Sequence, residues 1–270
     1  MSATQAELMR YLDAAKDAAL RAAEVLASWR AKFQVKEKGR FDLVTDADLA
    51  SQRAIQGYLA SLFSDHAFLG EEEGAGKARP GPDAPPTWIV DPIDGTTNYV
   101  HDCPFYCISI GLEIAGELTV GVVYEPSRRE MFAAAKGCGA WVNQKPMRVS
   151  ATPTLDQALL ATGFPPDVRG AEKSLDWWRH FSFQAQSLRR TGSTALNLAY
   201  VAAGRFDGYY AFDNHVWDVA AGAVLVREAG GVITNVDGSE YDAYTADALA
   251  SNGAIHLALL DIFHAGLAPQ

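Results

Sequence analysis

Cysteine is scarce in this chain. Cys103, Cys107 and Cys138 are three in number, too few and too odd for a disulfide framework, and no CxxC pair suggests zinc. Cys103 and Cys107 lie in an apolar stretch and read as buried thiols, which fits a cytoplasmic setting. Basic stripes are missing too. With 23 basic against 33 acidic residues the net charge is −10, which argues against nucleic acid as the main ligand. No uncharged apolar run reaches the roughly 18 residues of a spanning helix. The N-terminus has no basic segment leading into an apolar core, so no signal peptide is read. GxxxxGK[ST], GxGxxG and GxSxG are all absent, which leaves nucleotide hydrolysis on a Walker loop, dinucleotide binding and serine-hydrolase chemistry without support.

What is present is a 270-residue chain, 49% hydrophobic and 21% charged, able to bury a large core. Leu8, Leu12, Ala15, Ala19, Ala22 and Leu26 recur at threes and fours, predicting a helix from about Thr4 to Phe33. Lys36–Phe41 reads as a loop. A second helix is expected from Thr45 to Phe63, with Thr45 and Asp48 at capping-box spacing. Gly74–Pro86 is the only Pro/Gly-rich stretch and reads as an excursion loop between strand ends. Cys107–Tyr124 alternates as a hairpin turning at Ala115-Gly116, and short strands follow to Val149. Beyond residue 150, strands and helices alternate, predicting sheets covered by helices. No repeat divides the chain, and residues 1–270 are read as a single domain.

The informative segment is Trp88-Ile-Val-Asp91-Pro-Ile-Asp94-Gly95-Thr96-Thr97-Asn98. Two carboxylates, three apart, sit where an apolar strand ends. Gly95 permits a tight turn and close backbone approach. Thr96 and Thr97 would open a short helix whose free N–H groups suit an anion. Carboxylates for a hard cation beside amides for a phosphate are what metal-assisted phosphate chemistry needs. A simpler alternative is an Asp-rich turn capping a helix. Three remote acidic features bear on the choice. Glu71-Glu72-Glu73 follows an apolar run, as metal ligands or as a solvated charge run. Asp218 opens an apolar helix, as a ligand or as an N-cap. Asp42, Asp46 and Asp48 cluster at another helix start, where capping is the alternative. A Thr hydroxyl held by a carboxylate would orient and deprotonate a water, and Thr96 with Asp48 suits that role if the fold joins them.

The blocks DLVTDAD (Asp42–Asp48), GEEEG (Gly70–Gly74), WIVDPIDGTTNYVH (Trp88–His101) and WDVAAGAVLVREAGG (Trp217–Gly231) together resemble the inositol monophosphatase family, in one order across nearly the whole chain. The resemblance implies an α/β (α+β) fold, a layered αβαβα sandwich of the inositol monophosphatase and fructose-1,6-bisphosphatase type. It also implies a lithium-sensitive phosphatase using two or three Mg2+ ions, and a homodimer. Carried over residue by residue, Glu71, Asp91, Asp94 and Asp218 would hold metal with the Ile93 carbonyl. Thr96 and Asp48 would activate water, with Glu71 holding the metal that supplies it. Asp94 and the Gly95 and Thr96 amides would bind the phosphate end. Gly192, Ser193 and Thr194, in RTGSTA (Arg190–Ala195), would line the alcohol side. Glu72 matches an acidic position behind the metal ligands, and Asp42 one in a loop near the site. The basic residue expected about five before Asp42 is straddled by Lys36 and Lys38. His101 and His215 flank the motifs and read as structural.

One departure concerns the substrate. Inositol-specific members carry a Glu seven residues before the Asp of the Trp-Asp pair, and here that position is Ala211. A lost hydroxyl acceptor weakens discrimination for that ring. An inositol phosphate, histidinol phosphate, a sugar phosphate such as fructose bisphosphate, or a nucleotide 3′-phosphate all stay open. Two other classes compete. Phosphatases with an aspartyl nucleophile have a single residue between the two acids of their pair, whereas two, Pro92 and Ile93, intervene here. A regulatory binding protein of the same family is the non-enzymatic alternative.

Overall fold

The structure is a computed structural model and describes residues 3–74, 79–81 and 83–267. Thr4 opens α1 (Gln5–Trp29) with a reciprocal cap, its hydroxyl accepting from the Glu7 N–H while the Glu7 carboxylate accepts from the Thr4 N–H. The expected stripe from Leu8 to Leu26 is the buried face. Lys36–Phe41, expected as a loop, is largely strand. β1 (Val35–Gly39) pairs antiparallel with β2 (Asp42–Thr45). All five β1 residues are exposed, so no apolar alternation could announce it. Thr45 and Asp48 form the expected capping box at the head of α2 (Asp46–Leu62).

Next come β3 (Ala67–Gly70), α3 (Glu71–Gly74), β4 (Thr87–Asp94), α4 (Thr96–Val100), β5 (Cys107–Ile114), β6 (Glu117–Glu125), β7 (Glu130–Ala135), β8 (Gly139–Val142) and β9 (Lys145–Pro146). Their strands form one seven-stranded sheet in chain order. Of the Gly74–Pro86 stretch, residues 75–78 and 82 lie outside the described residues. Its flanking strands, β3 and β4, pair side by side. The second half supplies β10 (Leu159–Thr162), α5 (Glu172–Ser182), β11 (Ser187–Arg190), α6 (Thr194–Ala202), β12 (Gly208–Ala211), α7 (Val216–Glu228), β13 (Val232–Thr234), β14 (Ala248–Ser251) and α8 (His256–Ala265). Five strands form a mixed sheet in the order β11-β10-β12-β14-β13. The pattern did not announce β11, an edge strand ending in the exposed Arg189 and Arg190.

Three apolar cores stack these elements into five layers. Leu12 and Ala19 of α1 and Ile55 of α2 pack on Trp88, Ile110 and Val122 of the large sheet. Leu198 of α6 and Val219 and Ala223 of α7 fill the space between the two sheets. Trp177 and Phe181 of α5 and Leu259 and Phe263 of α8 cover the outer face of the small sheet. The architecture is therefore a mixed α/β layered sandwich, in the order helices, sheet, helices, sheet, helices. Among the described residues no helix is long and apolar enough to cross a membrane.

The central layer lies directly against the large sheet at two glycines. A Cβ on Gly121 of β6 would fall 2.3 Å from the Ala221 carbonyl oxygen, and one on Gly111 of β5 would fall 2.9 Å from Ala220 Cβ. Bare backbone on β5 and β6 thus lets α7 lie directly on the strands, and α7 carries Asp218. Gly121→Ala should cost about 3 kcal/mol by overpacking against backbone. Gly57→Ala, on α2 with nothing within 4 Å of the added methyl, should instead stabilise by about 0.5–1 kcal/mol. Urea unfolding of both variants checks the contrast.

Candidate active site

β4 is buried at all eight positions, and it runs through the acidic pair rather than stopping at Asp91. Asp91 pairs with Ser109 and Asp94 with Cys107, three steps on β4 against two on β5. The extra residue is a bulge. Pro92 lies within it, where a missing N–H breaks no ladder bond. The Ile93 N–H turns back to the Asp91 Oδ1 at 2.9 Å. Gly95 follows at φ 98°, and a Cβ there would meet the Gly192 carbonyl oxygen at 3.1 Å and the Phe105 carbonyl oxygen at 3.2 Å. Only glycine meets both demands. α4 then starts at Thr96, so its first N–H groups have no partner within the helix.

A cavity of about 860 Å³ opens over this turn and gathers the remote acidic residues. Asp91, Ile93, Asp94, Gly95 and Thr96 line it from the β4–α4 turn. Glu71 enters from the end of β3, and Asp218 from the first turn of α7. Gly192, Ser193 and Thr194 close one side at the head of α6. Asp218 is also a cap, its Oδ2 accepting from the His215 N–H at 2.7 Å, so capping and cavity lining coexist. Asp42, at the start of β2, lines the rim, and burial raises its pKa.

The electrostatics of the carboxylates differ. Burial, followed by the charges of Glu71, Asp94 and Asp218, holds Asp91 well above the usual carboxylate range. Burial and then Asp94 do the same to Asp218. Asp94 rises only to about 6, because burial is opposed by donors at the head of α6. Ser193 Oγ donates to it at 2.7 Å, the Ala195 N–H at 2.5 Å and the Thr194 N–H at 3.2 Å. Ser193 is thereby tied to Asp94 and to its own capping bond with the Leu196 N–H.

Asp48 lies behind the turn, fully buried, with its pKa pushed up by burial to about 6. One of its oxygens accepts from Thr45 N–H and Oγ1 at 2.8 and 2.6 Å. The other stands 3.1 Å from Thr96 Oγ1, which is also 3.0 Å from the Ile93 carbonyl oxygen. One hydroxyl proton serves one of these acceptors at a time. The sequence-remote pair Thr96 and Asp48 is therefore in contact.

Of the two candidate lysines, Lys38 faces the site. Its Nζ lies 2.9 Å from Glu71 and 2.7 Å from Glu72, whereas Lys36 pairs with Asp46. Burial opposes the Lys38 charge, but the two glutamates outweigh it and raise its pKa. Glu72 is pushed up by burial to about 7 even so, and the short contact marks the pair as ionic.

Sequence reasoning missed several neighbours. Asn98 Nδ2 donates to the Phe105 carbonyl at 2.6 Å and the Thr191 carbonyl at 2.8 Å, pinning the loops that flank Gly95. Its place inside DPIDGTTN was the available signal. Thr194 Oγ1 meets Tyr209 OH at 3.0 Å, and Tyr209 OH donates to Asn214 Oδ1 at 3.4 Å. A tyrosine in an apolar strand reads as core and gives no such signal. Ala211 is buried and does not itself line the cavity, but it lies beside Gly163, which does. His215 stacks on Trp217 at 4.7 Å between ring centres, and His101 is exposed at the end of α4. The expectation for the thiols fails in part. Cys107 is buried, but Cys103 is exposed, because it sits in the turn between α4 and β5 rather than in the strand.

The donor set fits a hard cation. Four carboxylates and Ile93 line one cavity, and burial, reinforced by their mutual repulsion, raises Asp91 and Asp218. Among the described residues no three acidic, His or Cys side chains are grouped closely enough to hold a metal ion by themselves. Magnesium does not require such a group, since it keeps several waters and shares substrate oxygens.

The sequence profile of the inositol monophosphatase family matches residues 7–267. The chain belongs to the inositol monophosphatase family. An inositol-1-monophosphatase of Synechocystis sp. is 44% identical over 254 residues, covering 93% of this chain and 87% of that protein. The structure of an inositol monophosphatase from Anabaena superposes with a TM-score of 0.87 at 38% identity, covering 97% of this chain and 98% of the other. A further neighbour, an IMPase/NADP phosphatase complexed with NADP and Ca2+, superposes with a TM-score of 0.85 at 26% identity, covering 98% of each chain. The family is one of metal-dependent phosphatases that hydrolyse phosphate monoesters, and this chain is such an enzyme.

Asn98→Ala should leave two carbonyls without their donor, at about 1–3 kcal/mol, and loosen the Gly95–Gly192 contact. Thermal unfolding with phosphate-release kinetics should show both losses. Unchanged kcat with a lowered Tm would mean that the clamp serves stability alone.

Proposed function

We propose that this enzyme hydrolyses the phosphate monoester of a small soluble metabolite with magnesium, two or three ions being held by Glu71, Asp91, Asp94, Asp218 and the Ile93 carbonyl. The observation that carries this reading is the convergence of four carboxylates, from three sequence-remote segments, on the cavity of the β4–α4 turn. Bound there, the ions would supply Lewis-acid charge at the phosphoryl oxygens and lower the pKa of water. The Gly95 and Thr96 amides, at the start of α4, hold the phosphate. Thr96 Oγ1 orients the attacking water by accepting its proton, while passing its own to Asp48 across the 3.1 Å contact. Asp48 suits this role because burial brings its pKa to about 6, close to working pH.

Asp94 is held by the α6 head and forms the border between the metal side and the alcohol side. Gly192, Ser193 and Thr194 line the alcohol side, chiefly through backbone and through the Thr194–Tyr209 pair. Beside them Ala211 offers no acceptor to a ring hydroxyl, so inositol phosphate is one substrate among several small monoesters. The free cysteines fit a cytoplasmic enzyme. A homodimer is supported by the outer side of α5 and its end, where Leu175, Trp178 and Phe183 are exposed by 41%, 41% and 82%.

Asp91→Asn should lower kcat at least about a hundredfold, a loss of roughly 2.7 kcal/mol of transition-state stabilisation. A chelator should abolish wild-type phosphate release, magnesium should restore it and lithium should inhibit it. Near-wild-type activity of Asp91→Asn on a panel of metabolite monoesters would contradict the ligand assignment. The double substitution Trp178→Glu and Phe183→Glu should shift the protein to monomer in light scattering, and an unchanged mass would place any dimer contact elsewhere.

A further inference from the structure

We propose that the alcohol part of the substrate carries a second anionic group, bound by Arg190 at the outer wall of the cavity. This inference rests on the phosphatase reading above and narrows its substrate class. Among the described residues, Lys38 and Arg190 are the only lysine and arginine lining the cavity. Lys38 is consumed by Glu71 and Glu72. Arg190 enters no ion pair among the described residues.

Arg190 is nevertheless held in place. It ends β11, and its guanidinium carbon sits 5.0 Å from the centre of the Phe164 ring, which also lines the cavity. Pro165 and Pro166 follow Phe164 and stiffen that wall. Resting on a ring face leaves the guanidinium edge and its N–H donors free for a planar or tetrahedral anion. Arg190 is also tied to the reacting end. Two residues on, the Gly192 carbonyl packs against Gly95, and between them the Thr191 carbonyl is fixed by Asn98. Its distance from the phosphate-binding turn is therefore set by the fold.

The nearby charges support the same reading. A second lysine, Lys173, places its Nζ 3.9 Å from the centre of Phe212, another wall of the cavity, and it too enters no ion pair among the described residues. Asp167, the acid that follows Pro166, is already engaged by Arg169 and Arg40. Asp213 lines the wall, exposed and at φ 63°, and makes no ion pair with Arg190. Ala211 adds no carboxylate beneath. An outer wall that shows a cation where a polyol would want an acceptor selects for charge on the leaving alcohol.

The test uses three esters that share one scissile bond: glucose 1-phosphate, glucose 1,6-bisphosphate and glucuronic acid 1-phosphate. Release of the C1 phosphate is followed with magnesium for the wild type, Arg190→Ala and Arg190→Lys. The wild type should prefer at least one of the dianionic-plus-charged esters over glucose 1-phosphate by about tenfold in kcat/KM, carried by KM. The preferred ester tells phosphate from carboxylate. Arg190→Ala should bring that ratio close to one, and Arg190→Lys should recover part of it. A wild-type ratio at or below one, or a ratio that Arg190→Ala leaves unchanged, overturns this inference while the phosphatase reading stands. No turnover of any of these esters, or of other monoesters, overturns both.

Discussion

Like charges packed around one cavity are the constraint on which the rest of this structure depends. Carboxylates repel strongly where the effective dielectric is low, and burial without a partner adds several kcal/mol per ion. No chain gathers Glu71, Asp91, Asp94 and Asp218 for stability. The fold nevertheless arranges local geometry to hold them there. A bulge at Pro92 aims two positions of one strand at the same space. Gly95 takes a backbone conformation closed to other residues. Bare strands at Gly111 and Gly121 let α7 carry Asp218 down onto the sheet.

The carboxylates then divide into two kinds. Asp94 and Asp48 are satisfied by protein donors, three from the head of α6 and three from Thr45 and Thr96. These two keep pKa values near 6 and fixed orientations. Asp91 and Asp218 have one backbone donor each and stay strongly perturbed. The first kind is held in fixed orientation by the protein itself, whereas the charge of the second is left largely uncompensated. Lys38 offsets part of that charge from β1, whose five residues are exposed, so the pairing with Glu71 and Glu72 draws β1 over the cavity.

Much of this was legible beforehand, for physical reasons. The α1 stripe, the Thr45–Asp48 box and the β5–β6 hairpin follow local rules of period and capping, and each is found in place. The acidic residues were legible because their chemistry is costly and so recognisable at motif spacing. What escaped was non-local. β1 has no buried face to create alternation, and β11 is an edge ending in arginines. Lys38 could not be told from Lys36 without the strand register. Asn98 acts through two carbonyls, one of them 93 residues away. Arg190 was visible within its motif, but that it meets a ring face and no carboxylate among the described residues is a property of the folded surface.

The central claim is that the buried carboxylates await a divalent cation, and thermal unfolding of wild type and Asp91→Asn with and without magnesium tests it most directly. Relief of repulsion should make metal-free Asp91→Asn at least as stable as metal-free wild type. Magnesium should raise the wild-type Tm through preferential binding to the folded state and leave the variant nearly unmoved. Equal magnesium shifts in both proteins, or none in the wild type, would contradict the account.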